Sequence, residues 1–413
     1  MSWKTTTLRA VAEVSLGRQR SPQHAEGPNM VPYLRAANVK DGRIVLDSVL
    51  EMNFTPQEQE IFSLRPGDVL VTEGSGSLST VGASAVWHGE IKGTVCFQNT
   101  LIRLRPREGV DERFLGWWAR SAHGSGLFAS IAGGANIYHL SAERLRSLDF
   151  ALPPLEEQRR IADFLDSETR VLGELASRKR QMRELALLKR KRLIEEVLGL
   201  AKASREGRSV PLKYLAREIT VGIVVTPSAW YSETGVPVLR GVNVRPGKIV
   251  SDNLVRITPE GHALHRKSKL CQGDIVVVRT GQPGVAAVVP EEFDGANCID
   301  LVLIRPGDDL NSKYLEYILN SEYARRWVDE HSVGSIQSHF NVASMKQIPI
   351  PELSRAAQDQ KVIFLDGLIG QIDRLIDCLS KQEKVLAERR RSLITAAVTG
   401  QIDVTTARGA DLS

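Results

Sequence analysis

The sequence predicts an α+β protein: two mixed α/β domains separated by two long antiparallel helices that form a coiled coil, with a pseudo-twofold internal repeat. Three observations predict it, namely a long internal repeat, short β-branched segments in both copies, and a heptad helix after each copy. At 413 residues the chain is long enough for two or three domains with their own cores. Its 42% hydrophobic and 25% charged residues are typical of folded globular proteins.

The internal repeat has a period of about 200 residues, and self-similarity on this scale determines the architecture more strongly than any local pattern. Residues 31–46 read VPYLRAANVKDGRIVL, and residues 236–250 read VPVLRGVNVRPGKIV. Further matched segments are RPGDVLV (65–71) with CQGDIVVV (271–278), and TLIRLRP (100–106) with DLVLIRP (300–306). The chain therefore contains two copies of one unit.

Each copy combines strands with a helix. The short β-branched segments are bounded by Gly, Pro, Asp or Asn, which predicts sheet strands joined by turns. A helical segment follows in both copies, at 111–122 and at 311–330. Its aromatic residues lie at helical spacing and are expected in the core rather than in a stacking platform. They are Trp117, Trp118, Tyr314 and Tyr317.

A proline step leads each copy into a long helix. Pro154 and Pro351 are tolerated because the first helical turn needs no N–H from them, and Glu156 and Glu157 suit the positive helix start. Both helices share one heptad register, offset by 200 residues. The residues predicted to pair the helices are Leu165, Leu172, Leu175, Met182 and Leu193 in the first, and Leu365, Ile372, Leu375, Leu379, Leu386 and Leu393 in the second.

An apolar stripe on a single helix would be exposed to water, so something must cover it. Antiparallel pairing of the two helices is expected, since glycine and proline around Gly199–Pro211 let the chain return. The alternative is homodimerisation through each stripe. The predicted boundaries are 1–151 for the first domain, 152–202 for the first helix, 203–350 for the second domain, 351–402 for the second helix and 403–413 for a tail.

Several classes of function lack their sequence signals. Gly241–Lys248 resembles a phosphate loop only superficially, because the spacing is wrong and Ile249 stands where Ser or Thr would hold Mg²⁺. No GxGxxG motif, HExxH motif or CxxC pair is present, so we expect no catalytic site, metal site or cofactor in this chain. The four cysteines are expected to be reduced and mostly buried. With no apolar run of membrane-spanning length, we expect a cytoplasmic protein.

The order of domain, LPPLEEQ-type helix, domain and matching helix resembles the specificity subunit of type I restriction-modification systems. The motifs that carry the resemblance are ALPPLEEQRRIADFLD (151–166), the paired GDVLV and GDIVVV segments, and SLITAAVTGQIDV (392–404). The resemblance covers essentially the whole chain, although the second helix begins with PIPELSRAAQDQ in place of LPPLEEQ. It implies two target-recognition domains and no catalysis by this chain.

The resemblance also implies the partners. These are double-stranded DNA, two modification (methyltransferase) subunits that dock on the helical regions, and restriction/translocase subunits. S-adenosylmethionine, ATP and Mg²⁺ would be used by those partner subunits. Helices of about 30 to 45 residues would hold the domains roughly 45 to 65 Å apart, against about 34 to 36 Å for one turn of B-DNA. A bipartite DNA target follows, and it should be asymmetric because the loops of the two copies differ.

The loops after the Gly-Asp strands are the first candidates for base readout. Arg279 has the donors to hold guanine O6 and N7, Gln282 suits adenine, and Glu73 suits the amino group of cytosine. Ser75, Ser77 and Thr280 complete this first candidate set. The alternative is that each loop is a solvated hairpin without a ligand.

A Gly-polar-His segment in each copy is the second candidate. It contains Asn136, Tyr138 and His139 in the first copy, and Ser335, Gln337 and His339 in the second. Amide, hydroxyl and imidazole groups suit base edges and phosphate oxygens. The alternative is a tight turn before the helix.

Charge favours a polyanionic partner only weakly, because a net charge of +5 and a pI of 9.0 are common. The basic run 178–192 faces DNA phosphates, solvent or acidic partner residues, and the sequence leaves these open. Arg35 and Arg240, in the matched Leu-Arg pairs, are expected to be structural. Two other classes stay open as alternatives: a coiled-coil adaptor that binds only proteins, and a stand-alone nuclease or methyltransferase.

Overall fold

The computed structural model describes residues 3–75, 77, 80–134, 138–201, 208–225, 227–331 and 342–404. The chain divides into two compact units. The first contains the residues up to 180 together with those from 381 onward, and the second contains residues 181–380. Each unit therefore contains one copy of the α+β domain and one half of each long helix.

The first domain alternates short strands with short helices. Its strands are Lys4–Thr7, Ala12–Leu16, Met30–Leu34, Val39–Lys40, Arg43–Ile44, Leu50–Asn53, Val69–Thr72, Gly74–Ser75, Ser84–Val86, Cys96–Phe97, Leu101–Pro106, Tyr138–His139 and Asp149–Leu152. Its α-helices are Leu8–Val11, Pro56–Phe62, Glu112–Gly124, Leu127–Ile131 and Ala142–Arg146.

The second domain repeats this order. Its strands are Ser209–Pro211, Ala216–Val221, Tyr231–Ser232, Val236–Leu239, Val244–Arg245, Lys248–Ile249, Val255–Ile257, Ile275–Val278, Ala286–Val288, Asn297–Cys298, Leu301–Pro306 and Pro349–Pro351. Its described α-helices are Pro259–Leu264, Ser312–Leu319, Glu322–His331 and Val342–Lys346.

The central sheet of each domain has four antiparallel strands, and it is built from the repeated GD and IRP segments. In the first domain the order is Ala12–Leu16, Leu101–Pro106, Val69–Thr72 and Ser84–Val86. The second domain has the same order in Ala216–Val221, Leu301–Pro306, Ile275–Val278 and Ala286–Val288. The continuous apolar runs follow from burial of both faces of the middle strands.

The repeated Leu-Arg and Asn-Val pairs form a turn. The buried side chain of Asn38 accepts a hydrogen bond from the Arg35 amide (3.1 Å), and Asn243 does the same for the Arg240 amide (3.1 Å). The guanidinium of Arg240 donates to the Asn253 carbonyl (2.8 Å). The two arginines therefore contact their own domains, as expected for structural residues. The predicted core aromatics Trp117, Trp118, Tyr314 and Tyr317 are all buried.

The long helices are Leu155–Leu198 and Arg355–Val398, 44 residues each. A buried glutamine ties the start of each helix to its domain. Gln158 accepts a hydrogen bond from the Asp111 amide and donates to the Pro153 carbonyl (both 2.9 Å). Gln358 repeats these two contacts with Asn311 and Leu353, also at 2.9 Å. The sequence places a glutamine at both positions, but its burial was not predicted.

The helices pair antiparallel within each unit. In the first unit Leu165 and Leu172, early in the first helix, share a core cluster with Leu393, Ile394 and Ala397, late in the second. The second unit joins the opposite halves. Its core cluster contains Ile194 and Leu198 together with Val362, Leu365 and Ile369.

The paired stripe differs from the predicted one at every second position. Its buried and half-buried residues are 162, 165, 169, 172, 176, 179, 183, 186, 190 and 193, and the same numbers plus 200 in the second helix. Of the predicted residues, this stripe contains Leu165, Leu172, Leu193, Leu365, Ile372, Leu379, Leu386 and Leu393.

The pairing prediction is wrong for Leu175, Met182 and Leu375, which are 40%, 48% and 46% exposed. Each lies one residue before a paired position. In the first helix those paired positions contain Ala176 and Arg183, so apolarity pointed to the neighbouring residues instead. A one-residue step turns a helix by about 100°, which moves the side chain off the contact face.

The cysteine prediction is wrong in part: Cys96 and Cys298 are buried, but Cys271 and Cys378 are exposed. Burial raises the pKa of the Cys298 thiol to about 12, so this thiol stays protonated. Among the described residues, no helix combines the length and apolarity needed to cross a membrane.

Candidate nucleic-acid interface

Two loop segments that were predicted separately meet in the first domain. Gly74–Ser75 and Tyr138–His139 form an antiparallel pair, with Tyr138 opposite Ser75 and His139 opposite Gly74. The backbone of Glu73 anchors the pair, because its carbonyl accepts a hydrogen bond from the Leu140 amide at 2.7 Å. The loop that follows the Gly-Asp strand therefore pairs directly with the Gly-polar-His segment.

Glu73 and His139 form a polar contact at this pair. The His139 Nδ1 lies 3.1 Å and 3.2 Å from the two carboxylate oxygens of Glu73. The side chain of Glu73 is 21% exposed and that of His139 is 55% exposed. The imidazole contacts the carboxylate while part of each side chain remains exposed to solvent. Tyr138 is half-buried and packs against the core of the first unit, so its ring is mainly structural.

The second domain places a cation where the first has an anion. Glu73 and Arg279 each follow the last residue of an equivalent strand, since Thr72 pairs with Leu101 and Val278 pairs with Leu301. The repeat therefore puts opposite charges at one position of the fold. Such an inversion changes which base edges the position can accept as partners.

Asp300 holds Arg279 in place. Its Oδ1 accepts a hydrogen bond from Arg279 Nη1 (2.8 Å), and its Oδ2 accepts one from the Thr280 hydroxyl (3.2 Å). Asp300 has a φ of 50°, an uncommon conformation for a residue other than glycine. Asp300 was not among the residues predicted from the sequence. The signal was present in the repeat, because Ile299-Asp300-Leu301 stands where the first copy reads Asn99-Thr100-Leu101.

The remaining predicted residues are less constrained or lie outside the described chain. Ser77 and Gln282 are exposed, and Ser75 is part of the short strand described above. The predictions for Asn136, Ser335, Gln337 and His339 fall outside the described residues. No group of three or more histidine, cysteine or acidic side chains within the described ranges is arranged to hold a metal ion.

Two copies of one α+β domain, with a polar loop of different charge at the same place in each, define a tandem recognition protein built on paired helices.

Comparisons with known proteins agree with this class of protein. Residues 1–181 match the family model of the type I restriction modification DNA specificity domain. The chain is 27% identical over 315 residues to the EcoKI specificity subunit of Escherichia coli K12, covering 71% of this chain and 66% of that relative. It is 23% identical to the StySPI specificity subunit of Salmonella potsdam, covering 95% and 89%.

Solved structures share the fold. A chain from a structure concerned with complex assembly and conformational transition of the type I R-M system aligns with a TM-score of 0.68 and 19% identity, covering 97% of this chain and 98% of that one. The HsdS subunit from Thermoanaerobacter tengcongensis aligns with a TM-score of 0.52 and 19% identity, covering 97% of both. Residues 1–181 thus match the DNA specificity domain model, the chain is similar in sequence to type I specificity subunits, and it shares their fold.

Specificity subunits are the non-catalytic DNA-recognition components of type I systems. They bind DNA and work in complexes with methyltransferase and restriction subunits, and those partners carry out the catalysis. The predicted role as a non-catalytic specificity subunit is confirmed.

Proposed function

We propose that this chain reads an asymmetric, bipartite DNA target, with one half-site for each domain. The observation that carries the proposal is the charge inversion between Glu73 and Arg279 at one position of a duplicated framework. Identical frameworks would present the same type of surface to DNA twice. Opposite charges at the reading position require different bases, so the two half-sites differ.

The chemistry of each loop suits a different base. Arg279 retains Nη2 for an acceptor of guanine, O6 or N7, while Asp300 engages Nη1 and Nε is buried. In the first domain, the Glu73 carboxylate is suited to accept a hydrogen bond from the cytosine amino group. Gln282, exposed two residues beyond Thr280, suits adenine. Ser77 is suited to phosphate oxygens, which position a reader without specifying sequence.

The long helices supply the docking surface for two modification subunits. Apolar side chains outside the paired stripe are exposed on both helices. They are Val171, Leu175, Met182, Leu185, Leu187 and Leu188 on the first, and Ile363, Phe364, Leu375 and Val385 on the second. Exposed apolar side chains on a helix are suited to packing against a partner protein. Restriction/translocase subunits join the same complex.

The cofactors belong to the partners in this proposal. S-adenosylmethionine serves the modification subunits, and ATP with Mg²⁺ serves the restriction/translocase subunits. The complex acts on chromosomal and incoming DNA, so the place of action is the cytoplasm.

The test is an exchange of one domain. Residues 1–151 are replaced by the corresponding domain of another specificity subunit, the chain is co-expressed with its modification subunits, and methylated sites are mapped across the host chromosome. We expect one half of the modified sequence to change and the other half to stay. The matched control exchanges residues 203–350 and should change only the other half. Both halves changing together would rule out independent readout by two domains.

A further inference from the structure

The first unit contains a cavity of about 700 Å³ between the helix Glu112–Gly124 and the C-terminal half of the second long helix. Its lining is rich in basic side chains, which are Arg120, His123, Arg390 and Arg391. Asp41 is the one carboxylate among the lining residues that are described. Arg391 also lines an adjoining cavity, where Glu388 is present.

Arg120 has donors that its neighbours do not use. Its side chain is only 10% exposed and its Nε donates to the Asp41 carboxylate at 3.2 Å. The guanidinium lies over the Trp117 ring, 4.4 Å from its centroid. Its Nη2 is buried and forms no hydrogen bond to any described residue. A buried N–H donor without a partner destabilises the folded protein.

Arg390 also has a buried guanidinium nitrogen, Nε, without a hydrogen-bond partner among the described residues. Burial lowers the pKa of Arg390, the charge of Arg120 lowers it further, and Asp41 acts in the opposite direction. Arginine does not lose its proton in proteins. Two like charges therefore face one cavity with a single nearby carboxylate to offset them.

The second unit has basic residues at the positions equivalent to Arg390 and Arg391, but they have acidic partners. The helices match at an offset of 200 residues, so Arg190 and Lys191 are the equivalents of Arg390 and Arg391. Both are neutralised: Arg190 Nε donates to Asp373 and Lys191 Nζ donates to Glu322, each at 2.8 Å.

The first copy has kept the bases and lost the acids. Gly173 stands at the equivalent of Asp373, and Ala122 at the equivalent of Glu322. The matching cavity of the second unit, about 490 Å³, has a balanced lining of three bases and three acids. These are Arg190, Lys248 and Lys313, with Glu316, Asp373 and Asp377. A neutralised version of this cavity therefore exists in the same chain, and the first unit departs from it.

We propose that the cavity of the first unit binds a phosphate group through the guanidiniums of Arg120 and Arg390. Guanidinium donors form a planar fork that matches phosphate oxygens, and such charge-assisted hydrogen bonds are among the stronger ones in proteins. The anion supplies negative charge in place of the two missing carboxylates. A volume of this size accommodates a free anion, a nucleotide or one phosphate of a DNA backbone.

The test measures binding of inorganic phosphate to the full-length chain by isothermal titration calorimetry, with sodium chloride holding the ionic strength constant. Gly173→Asp restores the carboxylate that the second copy has, and no atom lies within 4 Å of the Cβ it adds. We expect G173D and R390Q each to weaken phosphate binding by about tenfold or more, since each removes one charge-assisted interaction. The neutral control G173N should retain the wild-type affinity for phosphate within about threefold. R190Q, the equivalent change in the other cavity, should also leave the affinity for phosphate within about threefold of wild type.

The source of the phosphate is distinguished in the same experiment by competition. Displacement of phosphate by adenosine monophosphate identifies a nucleotide, and displacement by a short DNA duplex identifies the nucleic-acid backbone. Displacement by neither identifies the free anion. All three results support a phosphate site. Absence of phosphate binding to the wild-type chain, or equal binding by the wild type, R390Q and G173D, overturns it.

Discussion

The two copies of the Gly-Asp turn differ in the partner of one arginine. In the first copy Arg105 binds both carboxylate oxygens of Asp68, at 2.8 and 2.7 Å. In the second copy Arg305 hydrogen-bonds Glu218 instead, and its Nε stays 3.8 Å from Asp274.

One buried substitution explains the difference. Arg103, which is 2% exposed, forms an ion pair with Glu13 in the first copy, at 2.7 Å. The second copy has Leu303 at the equivalent position. The equivalent glutamate, Glu218, therefore has no arginine there and hydrogen-bonds Arg305 instead. A framework can therefore keep its backbone while its internal ion pairs are redistributed. The two copies have diverged inside the domains as well as in the reading loops.

The largest effect that would test this comparison is on stability. Asp68→Asn should lower the free energy of unfolding by about 3 to 5 kcal/mol, because it breaks a buried bidentate pair and leaves Arg105 without its counter-ion. Asp274→Asn should cost about 1 kcal/mol or less, since the amide oxygen still accepts from the Cys271 amide. Urea denaturation of both variants measures the contrast. Equal losses would mean that the redistribution of partners has no energetic consequence.

The pH dependence of Asp274 sharpens the same contrast. Burial raises the pKa of this carboxyl above the usual 3.8. A raised folded-state pKa favours folding below the unfolded-state pKa, and this contribution is lost as the pH rises through the folded-state value. The stability of D274N relative to the wild type should therefore improve as the pH rises above about 3.8. A difference that does not change with pH would contradict this assignment.

The next effect separates the paired stripe from its exposed neighbours on one helix. Leu165→Ala should lower the free energy of unfolding by about 2 to 5 kcal/mol, because the side chain is fully buried and its loss leaves a cavity. Leu175→Ala should change it by no more than about 0.5 kcal/mol, since that side chain is 40% exposed. Thermal and urea unfolding of the full chain give both values. A large loss for L175A would restore the originally predicted register.

The smallest effect concerns readout. Arg279→Lys keeps the charge but loses the planar fork, so discrimination at one base pair should fall by about 1 to 3 kcal/mol. Methylation mapping with the assembled complex should show relaxation at one position of one half-site. Glu73→Gln serves as the counterpart and should act on the other half-site. Relaxation in both half-sites from R279K alone would contradict separate reading by the two loops.

Much of the fold could be predicted because the repeat gives two sequences for each strand and helix, and the features that they share indicate the structure. The strands are apolar and bounded by turn residues, and the motif around Asn38 recurs because that turn needs a buried amide. Heptad spacing predicted both long helices. It failed at alternate positions because Ala176 and Arg183 are paired without being large apolar residues, so composition there does not reveal the contact.

The candidate site was predictable only in part. Glu73 and Arg279 were found by comparing loops between the copies, which needs no structure. The contact of Glu73 with His139 depends on a strand pairing across 66 residues of sequence, and local patterns do not determine such a pairing. Asp300 was missed for a related reason, because it contacts Arg279 from the start of the neighbouring strand Leu301–Pro306, 21 residues further along the chain.

The division of each long helix between the units affects the order in which the protein is made. The first unit is complete only when Leu393, Ile394 and Ala397 have joined Leu165 in its core, and the 200 residues of the second unit are translated before them. At about 5 to 20 residues per second, the ribosome needs roughly 10 to 40 s for that stretch. During this time the apolar face of the first long helix awaits its partner, so the unit that is begun first is finished last.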